Sequence, residues 1–461
     1  MKKLLTVLTA LLITTGAFAQ EEGKGPQFNY DVFGVAYGAL GSMGSKDKWD
    51  YQHIRIRPRF VAENENIKAV VRLQIDQTFG TRASNAIVDD DGAGTVTSVA
   101  SDNENGTAIN ARHKAVKVQF AYLELSNLFV DGLSFTAGLN EYYFPLVADI
   151  EGALTGASYD FGMGTVGVYY LKLYEGHPAR KALLENQNTV GTGPEKAVFN
   201  VKNEAQVYIF DITVKPDDKI AIRPAFLYAT SEKDARFGGD YKFGPKMKAY
   251  IGALNTNADL GMAEFDVTGA YLSYKAGVGA AKQKWNAYAF DLGLNVKPDD
   301  SISIGVFTTY TSGSNKQDKK GFSEILGVGL FPGSLPAGRL FLLQGAGMNN
   351  TGGYAPTIFT DDEGLNYLGL GNTVFGLSAQ FTVNKLTILA QYGYMMASKK
   401  KKSTGADNGD KNIGQEVDVK ISLEVAPKTN LFVEGARVMA GDKSFVPDNA
   451  SQVLWGLVTR I

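Results

Sequence analysis

Basic side chains recur at every second position from His53: His53, Arg55, Arg57 and Arg59 alternate with Ile54, Ile56, Pro58 and Phe60. At a period of two these groups share one face of a β-strand, and the apolar set takes the other. Lys68 and Arg72 lie on the next strand-like segment, and Lys117 and Arg223 carry the same charge further along. Guanidinium groups stay protonated and offer only donors, so the row suits electrostatic attraction of anions rather than proton transfer. Two readings stand: an anion-attracting wall, and a ladder neutralised by nearby carboxylates. Glu141, Asp149 and Glu151 flank the apolar run Tyr142 to Val147.

Groups suited to covalent or acid–base chemistry are few. The three histidines, His53, His113 and His177, enter no His-x-x-x-His arrangement, and no hydrolase-like Ser/His or Asp/His site is visible. The sequence therefore assigns no catalytic residue, no metal site and no cofactor. Gly162-Met163-Gly164-Thr165-Val166-Gly167 matches Gly-x-Gly-x-x-Gly, yet no helix or acidic ribose partner follows, so it reads as a tight turn. Asp89-Asp90-Asp91-Gly92 with Asp102 to Asn105 offers oxygen ligands, but not at the spacing of a calcium loop. Lys399 to Lys402 form a cationic run fit for phosphate contact or a solvated tip. Pro178 to Gln187 has the pattern of a short loop helix.

Any face that displays this row needs strands to hold it, and the compartment is set first. Lys2 and Lys3 precede the apolar stretch Leu4 to Thr15, and Ala17-Phe18-Ala19 gives a small-x-small cleavage pattern. Residues 1–19 thus read as an export signal, with Gln20 opening the mature chain and 20–461 forming one unit. There is no Cys, which avoids disulfide chemistry in an oxidising compartment. Net charge is −2, so no overall field attracts nucleic acid. Gly (52), Tyr (22) and Phe (26) are abundant and Pro is scarce at 14, a composition that favours strands over helices. Beyond residue 20 no apolar stretch is long enough for a membrane helix, which leaves alternating strands as the membrane-compatible alternative.

Alternation is strong. Val417, Val419, Ile421, Leu423 and Val425 are apolar between Glu416, Asp418, Lys420, Ser422 and Glu424. Ile67 to Asp76 and Ala287 to Val296 repeat the pattern over lengths that a tilted strand needs to cross hydrocarbon. Short turns such as Glu63 to Asn66 and Pro427 to Asn430 alternate with long polar connections at about 80–112, 174–203, 313–370 and 398–413. Val214-Lys215-Pro216-Asp217-Asp218 recurs as Val296-Lys297-Pro298-Asp299-Asp300, with Pro expected at the second turn position and Asp at the third. The count is about 18 strands, within roughly 16 to 20. They start near residues 27, 50, 66, 114, 132, 153, 165, 204, 219, 247, 262, 285, 301, 371, 385, 414, 430 and 451. The fold expected is all-β: an antiparallel transmembrane barrel with short periplasmic turns and long external loops. The final strand sets Val453, Trp455, Leu457 and Ile461 on one face.

Several short segments carry a resemblance: Arg55-Ile56-Arg57-Pro58-Arg59-Phe60, Leu73-Gln74-Ile75-Asp76, Ala121-Tyr122-Leu123-Glu124-Leu125, Ala137 to Asn140 through Phe144-Pro145, and Thr311-Ser312-Gly313-Ser314. Together they resemble the Gram-negative outer-membrane porin superfamily. The resemblance implies a trimer and a third external segment, about Glu141 to Gly152, folded inward opposite the arginines. The chain departs from that pattern in the shortness of this segment and in Ile461, where an aromatic is usual. The resulting expectation is a passive diffusion channel for small polar solutes, with His53, Arg55, Arg57, Arg59, Lys68, Arg72, Lys117 and Arg223 lining it. Its partners would be the bilayer, lipopolysaccharide and the barrel-assembly machinery. A channel specific for oligosaccharides or organic anions, and a closed barrel acting as adhesin or scaffold, are the alternatives.

Overall fold

The computed structural model of the protein describes residues 26–43, 47–81, 115–127, 129–146, 148–174, 205–231, 247–276, 283–313, 340–343, 371–399, 412–440 and 449–461. The first nine strands are β1 (Gln27–Met43), β2 (Asp47–Glu63), β3 (Ile67–Thr81), β4 (Ala115–Ser126), β5 (Leu133–Phe144), β6 (Ala148–Asp160), β7 (Gly164–Tyr174), β8 (Ala205–Asp217) and β9 (Ile220–Ser231). The second nine are β10 (Met247–Asp259), β11 (Ala263–Ala276), β12 (Gln283–Asp299), β13 (Ile302–Thr311), β14 (Asn372–Val383), β15 (Leu386–Ala397), β16 (Asn412–Ala426), β17 (Thr429–Ala440) and β18 (Ala450–Arg460). Each pairs antiparallel with its neighbours in sequence, and β1 pairs with both β2 and β18, so all 18 strands form one closed barrel. Closure leaves no row of unpaired N–H and C=O groups, the condition a sheet must meet inside hydrocarbon. At the seam Val32 and Ile461 exchange both backbone bonds, at 2.8 and 2.9 Å.

Strand starts fall within a few residues of where alternation sets them, except at β6, which begins at Ala148 rather than near 153. The run Tyr142 to Val147 lacks alternation because both of its faces are apolar. Yet β5 and β6 remain paired up to Phe144↔Ala148, across a turn in which Leu146 adopts φ 61. The expected inward-folding third segment is therefore a tight hairpin.

The Asp-containing turns also differ in detail. Asp217 Oδ1 accepts the backbone N–H groups of Lys219 and Ile220 at 2.8 and 2.9 Å, and Asp299 Oδ1 accepts those of Ser301 and Ile302 at 2.8 and 3.0 Å. The repeated pentapeptide does build the same turn twice. Asp, however, takes the first turn position and Pro lies before it, because the short carboxylate bonds backbone two and three residues on. Gly162 ends up at φ 87 in the β6–β7 turn, its N–H held by Asp160 Oδ1 at 2.8 Å, so the glycine-rich motif is a turn.

Outside, the barrel presents apolar side chains. Ile54, Ile56 and Phe60 of β2, Val417, Val419 and Ile421 of β16, and Tyr288, Phe290 and Leu292 of β12 are all exposed. In water such a surface would aggregate; around a closed barrel it matches lipid. Towards the long-loop ends, Tyr170, Tyr208, Tyr228 and Tyr250 line up across β7 to β10, with successive ring centroids 5.2, 5.9 and 4.9 Å apart. Aromatic rows of this kind mark the interface of a transmembrane barrel. The inner face is more varied than alternation suggests. On β7 to β11, Leu171, Val207, Ile209, Leu227, Ile251 and Leu272 are apolar and buried on the side opposite the tyrosines.

Candidate functional site

A row of basic residues lies on the inner face of β2 and β3. On β2, His53 and Arg55 are 3% exposed, whereas Arg57 and Arg59 are partly exposed. All four face away from the lipid-side row of Ile54, Ile56 and Phe60, as alternation requires. His53 packs against Tyr37 of β1, ring centroids 5.2 Å apart. Arg57 Nε donates to Gln74 Oε1 on β3 at 2.8 Å, and Arg59 meets Asp31 of β1 at 3.4 Å. Arg72 stacks over Phe120 with its guanidinium carbon 3.8 Å from the ring centre, donates to Gln119 at 3.0 Å and reaches Glu141 at 3.6 Å. Arg57, Arg59 and Arg72 thus each meet an amide or carboxylate acceptor, which holds their planes in fixed directions.

Other basic candidates lie elsewhere. Lys68 stands in register with Glu63 on one side and Glu124 on the other. The backbone of Lys117 pairs opposite Gln74. Arg223 sits on β9, seven strands from β2. It donates to Asp211 from Nε at 2.9 Å and Nη2 at 2.5 Å, to the Tyr142 hydroxyl at 3.1 Å and to the Tyr143 carbonyl at 2.9 Å. Tyr142 also donates its hydroxyl to Asp211. Arg223 is therefore a bracing residue joining β5, β8 and β9, not an extension of the β2 row.

The acidic residues expected opposite the arginines need correcting. Glu141 is on β5 and Asp149 and Glu151 are on β6, with Glu141 paired to Glu151 and Tyr143 to Asp149, so no loop carries them inward. Glu141 meets Arg72 itself. Carboxylates that the sequence reading did not assign stand elsewhere. Asp266 on β11 and Asp291 on β12 belong to strands nine positions around the 18-membered ring from β2 and β3, on the opposite wall. Glu416, Asp418 and Glu434 are buried on β16 and β17, and Lys420 lies 3.4 Å from Glu434. A signal for the β16 acids was present, since Glu416, Asp418 and Lys420 are the polar half of the clearest alternation in the chain. Nothing in it distinguished a wall group from a solvated one.

Beside those acids a short piece of the β13–β14 connection, Leu340 to Leu343, is buried within the barrel. Its side chains pack with Phe307, Val374, Met395, Ile413 and Val438. Among the described residues no three His, Asp or Glu side chains converge on a point where a metal ion would sit. His113, His177, the Asp89–Asp91 run with Asp102, Lys400 to Lys402, Pro178 to Gln187 and the export signal lie outside the described residues. Lys399 is described and exposed.

No family model and no curated protein sequence matches this chain. Solved structures do. The outer membrane protein OpdK of Pseudomonas aeruginosa matches with a TM-score of 0.53 at 7% identity, over 94% of this chain and 98% of that one. Pseudomonas aeruginosa OccK3 (OpdO) matches at 0.51 and 9% identity, over 98% and 99%. OccK8 (OprE) of the same organism matches at 0.51 and 10%, over 94% and 98%. Identities this low speak to architecture. The described residues share the fold of these outer-membrane proteins, a closed antiparallel β-barrel, here of 18 strands.

Proposed function

We propose that this protein is an outer-membrane channel through which small hydrophilic solutes diffuse down their gradients. The observation that carries the reading is a closed ring of 18 strands whose outer face is apolar and whose inner face holds Arg57, Arg59 and Arg72. Side chains alone fill a barrel of about eight strands, and one of about 18 encloses a passage. Arginines cannot face hydrocarbon without a cost of about 2–4 kcal/mol at the midplane, so the basic row belongs to that passage. The row would favour anions, and the protein performs no covalent chemistry on them. The export signal over residues 1–19, insertion by the barrel-assembly machinery and contact with lipopolysaccharide belong to this reading. So does assembly as a trimer.

Liposomes containing the purified protein should swell in small sugars, and planar bilayers should show discrete conductance steps. Neither swelling nor conductance in a barrel that still shifts its gel mobility on heating would favour an adhesin or scaffold. One observation favours a more selective channel, specific for oligosaccharides or organic anions. Part of the inner wall of β7 to β11, from Leu171 to Leu272, is apolar and buried, and Leu340 to Leu343 occupy space on the other side, so the passage is narrower than the ring. A steep dependence of swelling rate on solute chemistry at equal solute size would distinguish that form.

A further inference from the structure

We infer that Glu416 and Asp418 act as an acidic clamp that holds Leu340 to Leu343 against the inner wall and thereby sets the width of the passage. The second half of this statement rests on the channel reading; the first half does not. Glu416 Oε1 accepts the backbone N–H of Leu342 at 2.5 Å, and Glu416 Oε2 accepts that of Leu343 at 2.6 Å. Asp418 Oδ2 accepts the N–H of Phe341 at 3.2 Å and an amide hydrogen of Gln391 at 2.8 Å. Both acids are 0% exposed.

These bonds explain both partners. A turn of chain pressed into an apolar recess leaves its N–H groups without backbone acceptors, a cost of about 1–3 kcal/mol each if unmet. Two carboxylates buried two residues apart on one strand would be costly as well, unless donors converge on them. The three N–H groups all find acceptors, and three of the four carboxylate oxygens find donors, Asp418 Oδ1 finding none. Apolar packing fixes the position: Leu340 to Leu343 are at most 6% exposed, among side chains of β13 to β18. Gly393 of β15 makes the recess, since a Cβ there would lie 2.5 Å from Leu340 Cδ2. Without the acids the N–H groups would seek water, such as that in the passage. Glu416 and Asp418 are positioning residues, acting on solutes through the segment they hold.

The chain has no cysteine, so a single Leu342→Cys change reports directly on the segment. In otherwise unchanged protein this thiol should react slowly with a membrane-impermeant maleimide. Adding Glu416→Ala and Asp418→Ala should accelerate labelling about tenfold or more, as expected from losing charge-assisted bonds. Glu416→Gln, which keeps one acceptor oxygen, should fall between. Leu343→Cys serves as a second reporter in case Leu342→Cys disturbs the recess. Heat-dependent gel mobility identifies folded barrels, and only those are compared. Folded variants labelled no faster than the parent would overturn the clamp, whatever they conduct. Faster labelling together with a larger single-channel conductance supports the clamp and its control of width. Faster labelling with no conductance in any variant or in the parent supports the clamp and removes the channel reading instead.

Discussion

Arg223 meets two carboxylate bonds, a phenol oxygen and a main-chain carbonyl at once, and it shows what a charge needs inside this wall. The guanidinium plane distributes five donors, so one side chain can bind three strands where a lysine would serve one or two acceptors. Its ring partner Tyr142 is buried and hands its own proton towards Asp211. Arg223→Met should therefore leave Asp211 with too few donors and destabilise the barrel by about 3 kcal/mol, read as a lower urea midpoint. Removing both charges with Arg223→Met/Asp211→Leu should recover most of that loss. Equal midpoints for the single and double variants would mean the two groups do not depend on each other. Arg72 follows the same logic with softer partners, a phenyl face and an amide, plus Glu141 at 3.6 Å.

At the scale of strands, side-chain direction is fixed by pairing, and β16 gives the clearest test. Val419 points to lipid and Ser422 points inward, with Val419↔Ala390 and Ser422↔Thr387 in register across β15. Val419→Arg should cost about 2–4 kcal/mol and slow insertion into lipid vesicles, while Ser422→Arg should be tolerated. A register slipped by one residue would invert that order, so the pair of measurements tests the pairing itself. The same alternation made most of the barrel readable in advance: polar Glu416, Asp418 and Lys420 between apolar Val417 and Val419 leave one arrangement. Reading failed where both faces are apolar. Tyr142 to Val147 looked like a connection because its inward residues Tyr142 and Phe144 pack in a buried cluster, as does Leu146 in the turn. Leu340 to Leu343 were equally silent, since an apolar tetrapeptide between polar stretches carries no sign of which wall receives it. Charged partners such as Glu416 are far away in sequence, and a single chain does not reveal that pairing. The arginine row was legible as a face. Its acceptors Gln74, Gln119 and Asp31 were not, because hydrogen bonding across strands depends on register.

For the whole molecule, the ring order converts local rows into an asymmetry across the barrel. Arg55, Arg57 and Arg59 of β2 and Arg72 of β3 lie on one side, with Asp31 and Glu141 beside them, and Asp266 and Asp291 lie on β11 and β12, nine strands around in either direction. The overall charge of −2 hides this separation. Walls of opposite sign facing one passage would impose a transverse field, stronger than in bulk water because the walls are of low dielectric, and reduced here by the Arg59–Asp31 and Arg72–Glu141 pairs. Ion selectivity then depends on the balance of the walls rather than on net charge, so altering each wall should move it in opposite directions. Arg55→Ala/Arg57→Ala/Arg59→Ala should shift the reversal potential towards cations, and Asp266→Asn/Asp291→Asn should shift it towards anions. Both shifts should shrink as salt rises, since the screening length falls from about 10 Å at 0.1 M to about 3 Å at 1 M. Arg55 contributes least to this expectation, being 3% exposed, so Arg57→Ala/Arg59→Ala should reproduce most of the triple variant's shift. If both sets of variants move selectivity in the same direction, the two walls do not face a common passage. If neither set moves it at low salt, ions pass where these side chains do not reach.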